Sequence, residues 1–355
     1  LADTLEALAH QGRGGFYRGP VAQKLVDGVR SAGGIWTLAD LSDYRVIERE
    51  PIRAHYRSPR GEMHITSAAP PSSGGITLAT MFNILSGFNL DAQDSVTRKH
   101  LIIEAMRRAY RDRAVYLGDP DFTRIPVERL LHPFYADGLR AAIRSDRALP
   151  SDYLPGVEAS PKGRDTTHFS ILDREGNRVA ATLTINYPFG SGFVSPGTGV
   201  LLNDEMDDFS ARPGTPNVYG LVGGEANAIA PGKRPLSSMS PSFLHTERGV
   251  AVVGTPGGSR IISMLLLAAL DFEAGGDARS MVGLPRFHHQ YLPDVVHYET
   301  AALNKDEIAE LGSRGHTLRE FPHGWGNMQA VVWDKKRRVV SAATDPRVEG
   351  AAATQ

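Results

Sequence analysis

Two periods organise the apolar positions of this chain. Helical spacing opens it: Leu1, Leu5 and Leu8 predict a helix over residues 1–10, which Gly12 stops and Gly14-Gly15 keeps broken. Pro20 suits the first turn of a second helix with Val21, Leu25, Val26 and Val29 on its apolar face, ended by Gly33-Gly34. Thr37, with Asp40 three residues on, predicts the capped start of a short helix reaching Tyr44. Strand spacing marks residues 52–56 and 62–66, and an apolar helix spans 76–85. Ser95 is the expected cap of a long amphipathic helix that turns Leu101, Ile102, Ala105, Met106, Ala109, Tyr110 and Ala114 inward and its arginines to solvent. Asp119-Pro120-Asp121 ends that run, and 133–145 gives another helix.

Strands gather in the second half. Residues 169–172 and 178–184 are rich in β-branched and apolar side chains, and Asp173-Arg174-Glu175-Gly176-Asn177 joins them as a hairpin whose turn uses Gly and Asn at positive φ. Residues 250–253 read as a buried strand. A glycine turn, Gly254-Thr255-Pro256-Gly257-Gly258-Ser259-Arg260, follows it, and Ser259 is placed to cap an apolar helix through Leu270. Such a strand–turn–helix exposes backbone N–H groups that favour an anion. Weaker helices (278–282, 304–313) and strands (295–298, 328–333, 338–342) complete the chain. Prolines and glycines make 67–75 irregular, 150–164 an exposed mobile linker and 211–224 a mobile loop. Strands do not alternate regularly with helices, so the expected class is layered α+β, two sheets face to face with helices outside.

Composition narrows the chemistry. The 355 residues are 41% hydrophobic and 22% charged, with a net charge of about −1 and both signs dispersed, which suits neither nucleic acid nor an anionic membrane surface as partner. Cysteine is absent, removing disulfides, thiolate nucleophiles and thiolate metal ligands. No apolar run reaches membrane-spanning length. The chain opens at Leu1 inside a helical pattern, as a processed product or fragment does.

The serine-hydrolase elbow, the phosphate-binding loop and the His-Glu-x-x-His zinc motif are missing from the sequence. His288-His289 is the one histidine pair, and neighbours on a strand face opposite sides, which disfavours zinc. What remains is a threonine able to become a chain terminus. Cleavage of Asp165–Thr166 frees an α-amine of pKa about 7.7–8.0, and this amine takes the proton of the Thr166 hydroxyl. The same hydroxyl could make the cut by attacking the Asp165 carbonyl and passing through an ester, although taken alone two threonines ahead of a strand are equally simple β-formers.

The motifs keep revealing company. Asp165-Thr166-Thr167-His168-Phe169-Ser170, residues 203–210 with Met-Asp-Asp-Phe-Ser, Arg234-Pro235-Leu236-Ser237-Ser238-Met239-Ser240, Pro256-Gly257-Gly258-Ser259-Arg260 and Pro285-Arg286-Phe287-His288-His289-Gln290 occur in one order. Together with Phe16-Tyr17, Pro70-Pro71-Ser72-Ser73-Gly74-Gly75 and Tyr116-Leu117-Gly118-Asp119-Pro120-Asp121, they closely resemble the γ-glutamyltransferases, N-terminal-nucleophile hydrolases with a four-layer αββα sandwich. The resemblance implies that residues 1–165 are the C-terminal portion of a large subunit and 166–355 a small subunit, both from one precursor. It makes Thr166 the self-cleaving residue and nucleophile, Thr184 its hydrogen-bonding support, and Gly257 and Gly258 the oxyanion donors. It places Asn186, Glu205 and Asp208 around the substrate ammonium, Ser237 and Ser238 at its α-carboxylate, and Tyr219 in a lid. It implies γ-glutamyl donors such as glutathione or glutamine, with water, amino acids or peptides as acceptors, no cofactor or metal, and a periplasmic or secreted location.

Three features depart from the family pattern. Family members have a longer large subunit, of which this chain is expected to hold only the C-terminal portion, and the arginine that clamps the α-carboxylate in the family belongs to the remainder. Tyr187-Pro188 after Asn186 is atypical, and the ending at 351–355 differs. Two other readings stand beside this one. A glutaryl β-lactam acylase is the alternative enzyme, disfavoured because an amine-free substrate leaves the buried Asp208 carboxylate unpaired. A non-catalytic, unprocessed relative that only binds ligand is the other.

Overall fold

The computed structural model describes residues 1–154, 156, 166–210, 212, 214 and 221–354. In chain order the helices are α1 (Ala2–Gln11), α2 (Gly14–Tyr17), α3 (Gly19–Ser31), α4 (Leu38–Ser42), α5 (Gly74–Leu85), α6 (Ser95–Tyr116), α7 (Val127–Leu131), α8 (Pro133–Ala141), α9 (Arg260–Glu273), α10 (Ala278–Gly283) and α11 (Lys305–Ser313). The strands are β1 (Ile52–Ser58), β2 (Gly61–Ser67), β3 (Thr167–Leu172), β4 (Arg178–Leu183), β5 (Val194–Ser195), β6 (Val200–Leu201), β7 (Ser242–His245), β8 (Gly249–Gly254), β9 (Phe287–His288), β10 (Val296–Tyr298), β11 (Leu318–Glu320), β12 (Gln329–Asp334) and β13 (Val339–Thr344).

The chain forms two units, one of Leu1–Arg49 with Ile185–Glu205 and one of Glu50–Thr184 with Met206–Gln355. In the first, α3 buries Ala22, Leu25 and Val26 against Leu41 of α4. Pro20 sits in the first turn of α3, and Thr37 with Asp40 forms the expected capping box of α4. Strands β5 and β6 pair antiparallel, and Thr4 ties the chain start to this segment through a 2.8 Å hydrogen bond to the Thr198 carbonyl.

The larger unit is built on a six-stranded antiparallel sheet in the order β1-β2-β7-β8-β12-β13. Alternation in β1 puts Ile52, Ala54 and Tyr56 into the core that also holds residues of α5, α6 and α9. Strand β8 is buried along its whole length, because helix packs on one face and the β3–β4 hairpin on the other. Its unbroken Gly-Val-Ala-Val-Val-Gly run is the sequence of a strand covered on both sides. The layering expected of an α+β chain is therefore present, with β3–β4 laid over β8 and β12.

The structure corrects several expectations. Asp94, not Ser95, caps α6, accepting from the Thr97 amide at 2.9 Å. The α6 arginines do not form a solvated face: Arg107 and Arg108 are each 1% exposed and Arg113 4%. Glu104 between the first two bonds Arg107 at 3.0 Å and Arg108 at 2.6 Å, and Asp294 also pairs with Arg107, so two carboxylates balance the two buried cations. Ser259 precedes α9 without capping it, and its hydroxyl bonds Gln290 instead at 2.7 Å. Only Gly176 takes positive φ in the hairpin turn, where Asp173 binds the Asn177 amide at 2.8 Å. The linker begins with a buried Ser151, and the loop ends on a buried Val222, so neither is wholly exposed.

Candidate active site

Thr166 stands immediately before β3, and Thr184 immediately after β4. Pairing of Thr167 with Leu183 aligns the two ends, and the Thr166 and Thr184 hydroxyl oxygens lie 3.2 Å apart in a hydrogen bond. Two residues on, His168 turns inward. Its Nδ1 is 2.8 Å from the Thr182 hydroxyl and its Nε2 3.1 Å from that of Ser170. Burial holds this imidazole down at a pKa of about 4, so it is neutral near pH 7. The ring occupies the space that a side chain on Gly254 would fill, with Cε1 2.2 Å from the position of such a Cβ. The start of β3 is thus seated on the end of β8, where the glycine turn begins.

In that turn Gly257 and Gly258 have φ values of 139° and 56°, a backbone path that other residues adopt only with strain. A side chain at Gly257 would also meet Met264 at 2.7 Å. The turn leads into α9, and the Arg260 and Ile261 amides at its start donate back to the Gly257 and Gly258 carbonyls, each at 3.1 Å. Tyr110 of α6 holds the turn from beneath by donating to the Ser259 carbonyl.

The Ser237-Ser238 loop is stitched to its surroundings on two sides. The Ser73 amide donates to the Ser237 carbonyl at 2.8 Å and the Ser237 amide to the Pro71 carbonyl at 2.9 Å, a parallel bridge that gives the Pro-Pro-Ser-Ser segment its fixed course. Buried Asp119, from the Gly-Asp-Pro-Asp motif, accepts from the Arg234 amide at 2.8 Å. Ser238 is buried, and the Arg113 guanidinium donates to its hydroxyl at 2.9 Å and to that of Ser73 at 2.8 Å.

On the acidic side, Glu205–Asp208 is a short 3-10 turn. Asp208 is half-buried rather than buried, which lowers the cost of leaving its carboxylate without an ammonium. Buried Asn227 ties this turn to the serine loop, donating to the Asp208 carbonyl at 2.7 Å while accepting from the Leu236 amide at 2.9 Å. Asn186 and Glu205 belong to the smaller unit. There Asn186 is 2% exposed, has a φ of 69° and donates to the Asp204 carbonyl at 3.2 Å. The Tyr187 amide donates to the Asp204 carboxylate at 3.1 Å, so the atypical Tyr-Pro pair follows a fixed turn. Asp165 and Tyr219 lie outside the described residues.

Thr166 and Thr184 thus meet at the end of the hairpin, which His168 seats on Gly254 at the start of the turn that carries Gly257 and Gly258, while Ser237, Ser238 and Asp208 belong to two loops that Asn227 joins. Arg113, Asn227 and Ser73 were missed from sequence. For Arg113 the available signal was its i+3 spacing from Tyr110, which places both on one helix face. His288 and His289 are both buried with separate partners, Ser263 and Gln290 for the first and Asp294 for the second. Among the described residues, the one trio with metal-ligand atoms within 4.8 Å is His55, Glu62 and His64, on the exposed side of β1 and β2.

The model of the γ-glutamyltranspeptidase family matches residues 1–355. A glutathione hydrolase proenzyme of Pseudomonas sp. (strain A14) is 47% identical over 320 residues, 89% of this chain and 55% of that protein. The glutathione hydrolase proenzyme of Escherichia coli (strain K12) is 40% identical over 352 residues, 98% of this chain and 60% of that protein. Among solved structures, the cephalosporin acylase from Bacillus halodurans aligns at a TM-score of 0.84 and 27% identity, over 99% of this chain and 61% of its own. The chain thus spans somewhat over half the length of these relatives, and its αββα class is that of the N-terminal-nucleophile hydrolases. On its sequence throughout, and on the fold that carries it, the chain belongs to the γ-glutamyltranspeptidase family.

Proposed function

We propose that the protein cleaves itself between Asp165 and Thr166 and then transfers or hydrolyses γ-glutamyl groups through an ester on Thr166. The observation that carries this reading is the Thr166 hydroxyl, held 3.2 Å from that of Thr184 at the end of a hairpin packed on β8. The relatives named glutathione hydrolase proenzymes support both the cut and the substrate class. On this reading residues 1–165 are the C-terminal portion of the large subunit, and 166–355 form the small one.

After cleavage the α-amine of Thr166 accepts the proton of its own hydroxyl as Oγ1 attacks the γ-carbonyl carbon. The carbonyl oxygen becomes an oxyanion, which the Gly257 and Gly258 amides stabilise. Collapse returns the carbonyl and breaks the C–N bond, and the amine carries its proton to the departing nitrogen. Water or an acceptor amine then attacks the ester, losing its proton to the same α-amine and restoring the Thr166 hydroxyl. Ser237 and Ser238 bind the donor α-carboxylate, while Asp208 takes its ammonium. The periplasm or the cell exterior is the proposed location. Among the described residues no helix is long and apolar enough to cross a membrane.

A chromogenic γ-glutamyl anilide tests the reading. The full-length protein is expected to release the arylamine from it faster than from a glutaryl anilide. Preference for the glutaryl compound overturns the γ-glutamyl assignment in favour of an acylase, and binding without release overturns catalysis altogether.

A further inference from the structure

The α6 helix carries two side chains, one turn apart, into two different parts of the proposed site. Tyr110 reaches the glycine turn through the Ser259 carbonyl. Arg113, three residues on, reaches the serine loop. Arg113 is 4% exposed and, unlike Arg107 and Arg108 on the same helix, has no carboxylate in ion-pair contact among the described residues. Its Nε donates to Ser73 at 2.8 Å and its Nη2 to Ser238 at 2.9 Å, while among the described residues Nη1 makes no hydrogen bond. Burial lowers its pKa only to about 10, with Asp208 acting in the opposite sense, so the group stays cationic.

A buried cation held by two neutral hydroxyls, with Asp208 acting on it only from beyond ion-pair contact, keeps room for a further anion. It also decides how Ser238 is used. With one lone pair of Oγ occupied by an N–H donor, the hydroxyl proton is left free to donate elsewhere. An anion beside Ser238 would satisfy both groups. Building on the γ-glutamyl reading above, we infer that Arg113 is a positioning residue for the donor α-carboxylate, orienting the Ser238 hydroxyl toward it and supplying the positive charge that selects a carboxylate-bearing donor. Ser73 completes the arrangement, since its hydroxyl also donates to the Ser237 carbonyl at 2.7 Å and so fixes both serines relative to the guanidinium.

The test compares two donors in the full-length protein, γ-glutamyl anilide and 4-aminobutanoyl anilide, which is the same acyl chain without the α-carboxylate. Arg113→Gln is expected to raise KM for the γ-glutamyl donor by about tenfold or more, with kcat within about threefold, and to change kcat/KM for the second donor by less than about twofold. Ser238→Ala, which keeps the arginine, is expected to show the same selectivity, and Arg113→Lys to recover part of the loss. Equal losses on both donors, or a fall in kcat alone, overturn the assignment and leave Arg113 a structural residue. A wild-type protein that turns over neither donor is a different failure: it removes the γ-glutamyl reading, and the role of Arg113 with it.

Discussion

The hydroxyl of Thr166 meets that of Thr184 across 3.2 Å, at the open end of a hairpin whose other face lies on the central sheet. A hydroxyl at the fraying end of a strand samples several rotamers. This contact, in which the Thr166 hydroxyl donates to that of Thr184, selects one and leaves the lone pairs of Thr166 Oγ1 unengaged by Thr184. Thr184→Val keeps the shape and removes the partner. The lost hydrogen bond is worth about 1 kcal/mol, so both self-cleavage and turnover should slow by about five- to tenfold, while Thr184→Ser stays within about twofold. Time courses of cleavage on denaturing gels and initial rates on the anilide check both.

Asn227 gives a second prediction. Its side chain is the link between the Asp208 turn and the Leu236-Ser237-Ser238 loop, and both of its hydrogen bonds are to backbone. Asn227→Ala leaves the half-buried Asp208 carbonyl and the buried Leu236 amide without this partner, at a cost of about 1–3 kcal/mol. If the two loops hold opposite ends of one zwitterion, KM for a γ-glutamyl donor rises by about tenfold. The measurement is KM beside a melting curve, and lost stability with unchanged KM counts against the bridging role.

Acid sensitivity follows from the buried histidines. His168, His289 and His297 are each held at a pKa of about 4, in each case first by burial, against an ordinary value of 6.5. The unfolded chain therefore binds more protons than the folded one between about pH 4 and 6.5. Stability is full above that window and declines as pH falls through it, by about 1.4 kcal/mol per pH unit for each histidine. His168→Gln should lessen the slope of unfolding free energy between pH 5 and 6 by about that amount, as read from urea titrations. An unchanged slope would mean that His168 protonates freely in the folded protein.

Much of the larger unit was legible because its sequence signals are local. The buried run 250–253, the alternation at 52–56 and the Gly176 turn each determine their element within a few residues. Strand β7 was not legible. Ser-Phe-Leu-His after Pro241 lacks β-branched residues, and it is a strand only because β2 and β8 flank it on both sides. The α6 arginines were misjudged for a related reason. Helical periodicity identifies the apolar face but says nothing of what covers the rest, and Glu104, Asp294 and the Ser151 segment cover it here. The site was readable as a set of motifs. Two of its supports act at long range, Asp119 on Arg234 across 115 residues and Arg113 on Ser238 across 125, separations that spacing cannot reveal.

The pH dependence of turnover bears on the proposed base. An α-amine of pKa about 7.7–8.0 must be neutral to accept the Thr166 proton, so kcat/KM should rise with pH through that region and level above it. Neutral His168 near pH 7 contributes no step there. A profile governed by a single group below about pH 5 would exclude the amine as base.

The central claim is that one residue supplies both the hydroxyl and the amine once the peptide bond before it is opened. Intact mass and N-terminal sequencing of the full-length protein and of Thr166→Ala test this most directly. The account predicts two associated fragments in the wild type, the smaller beginning at Thr166, and a single uncut chain in the variant. A wild-type preparation that turns over γ-glutamyl anilide with the Asp165–Thr166 bond intact would contradict it.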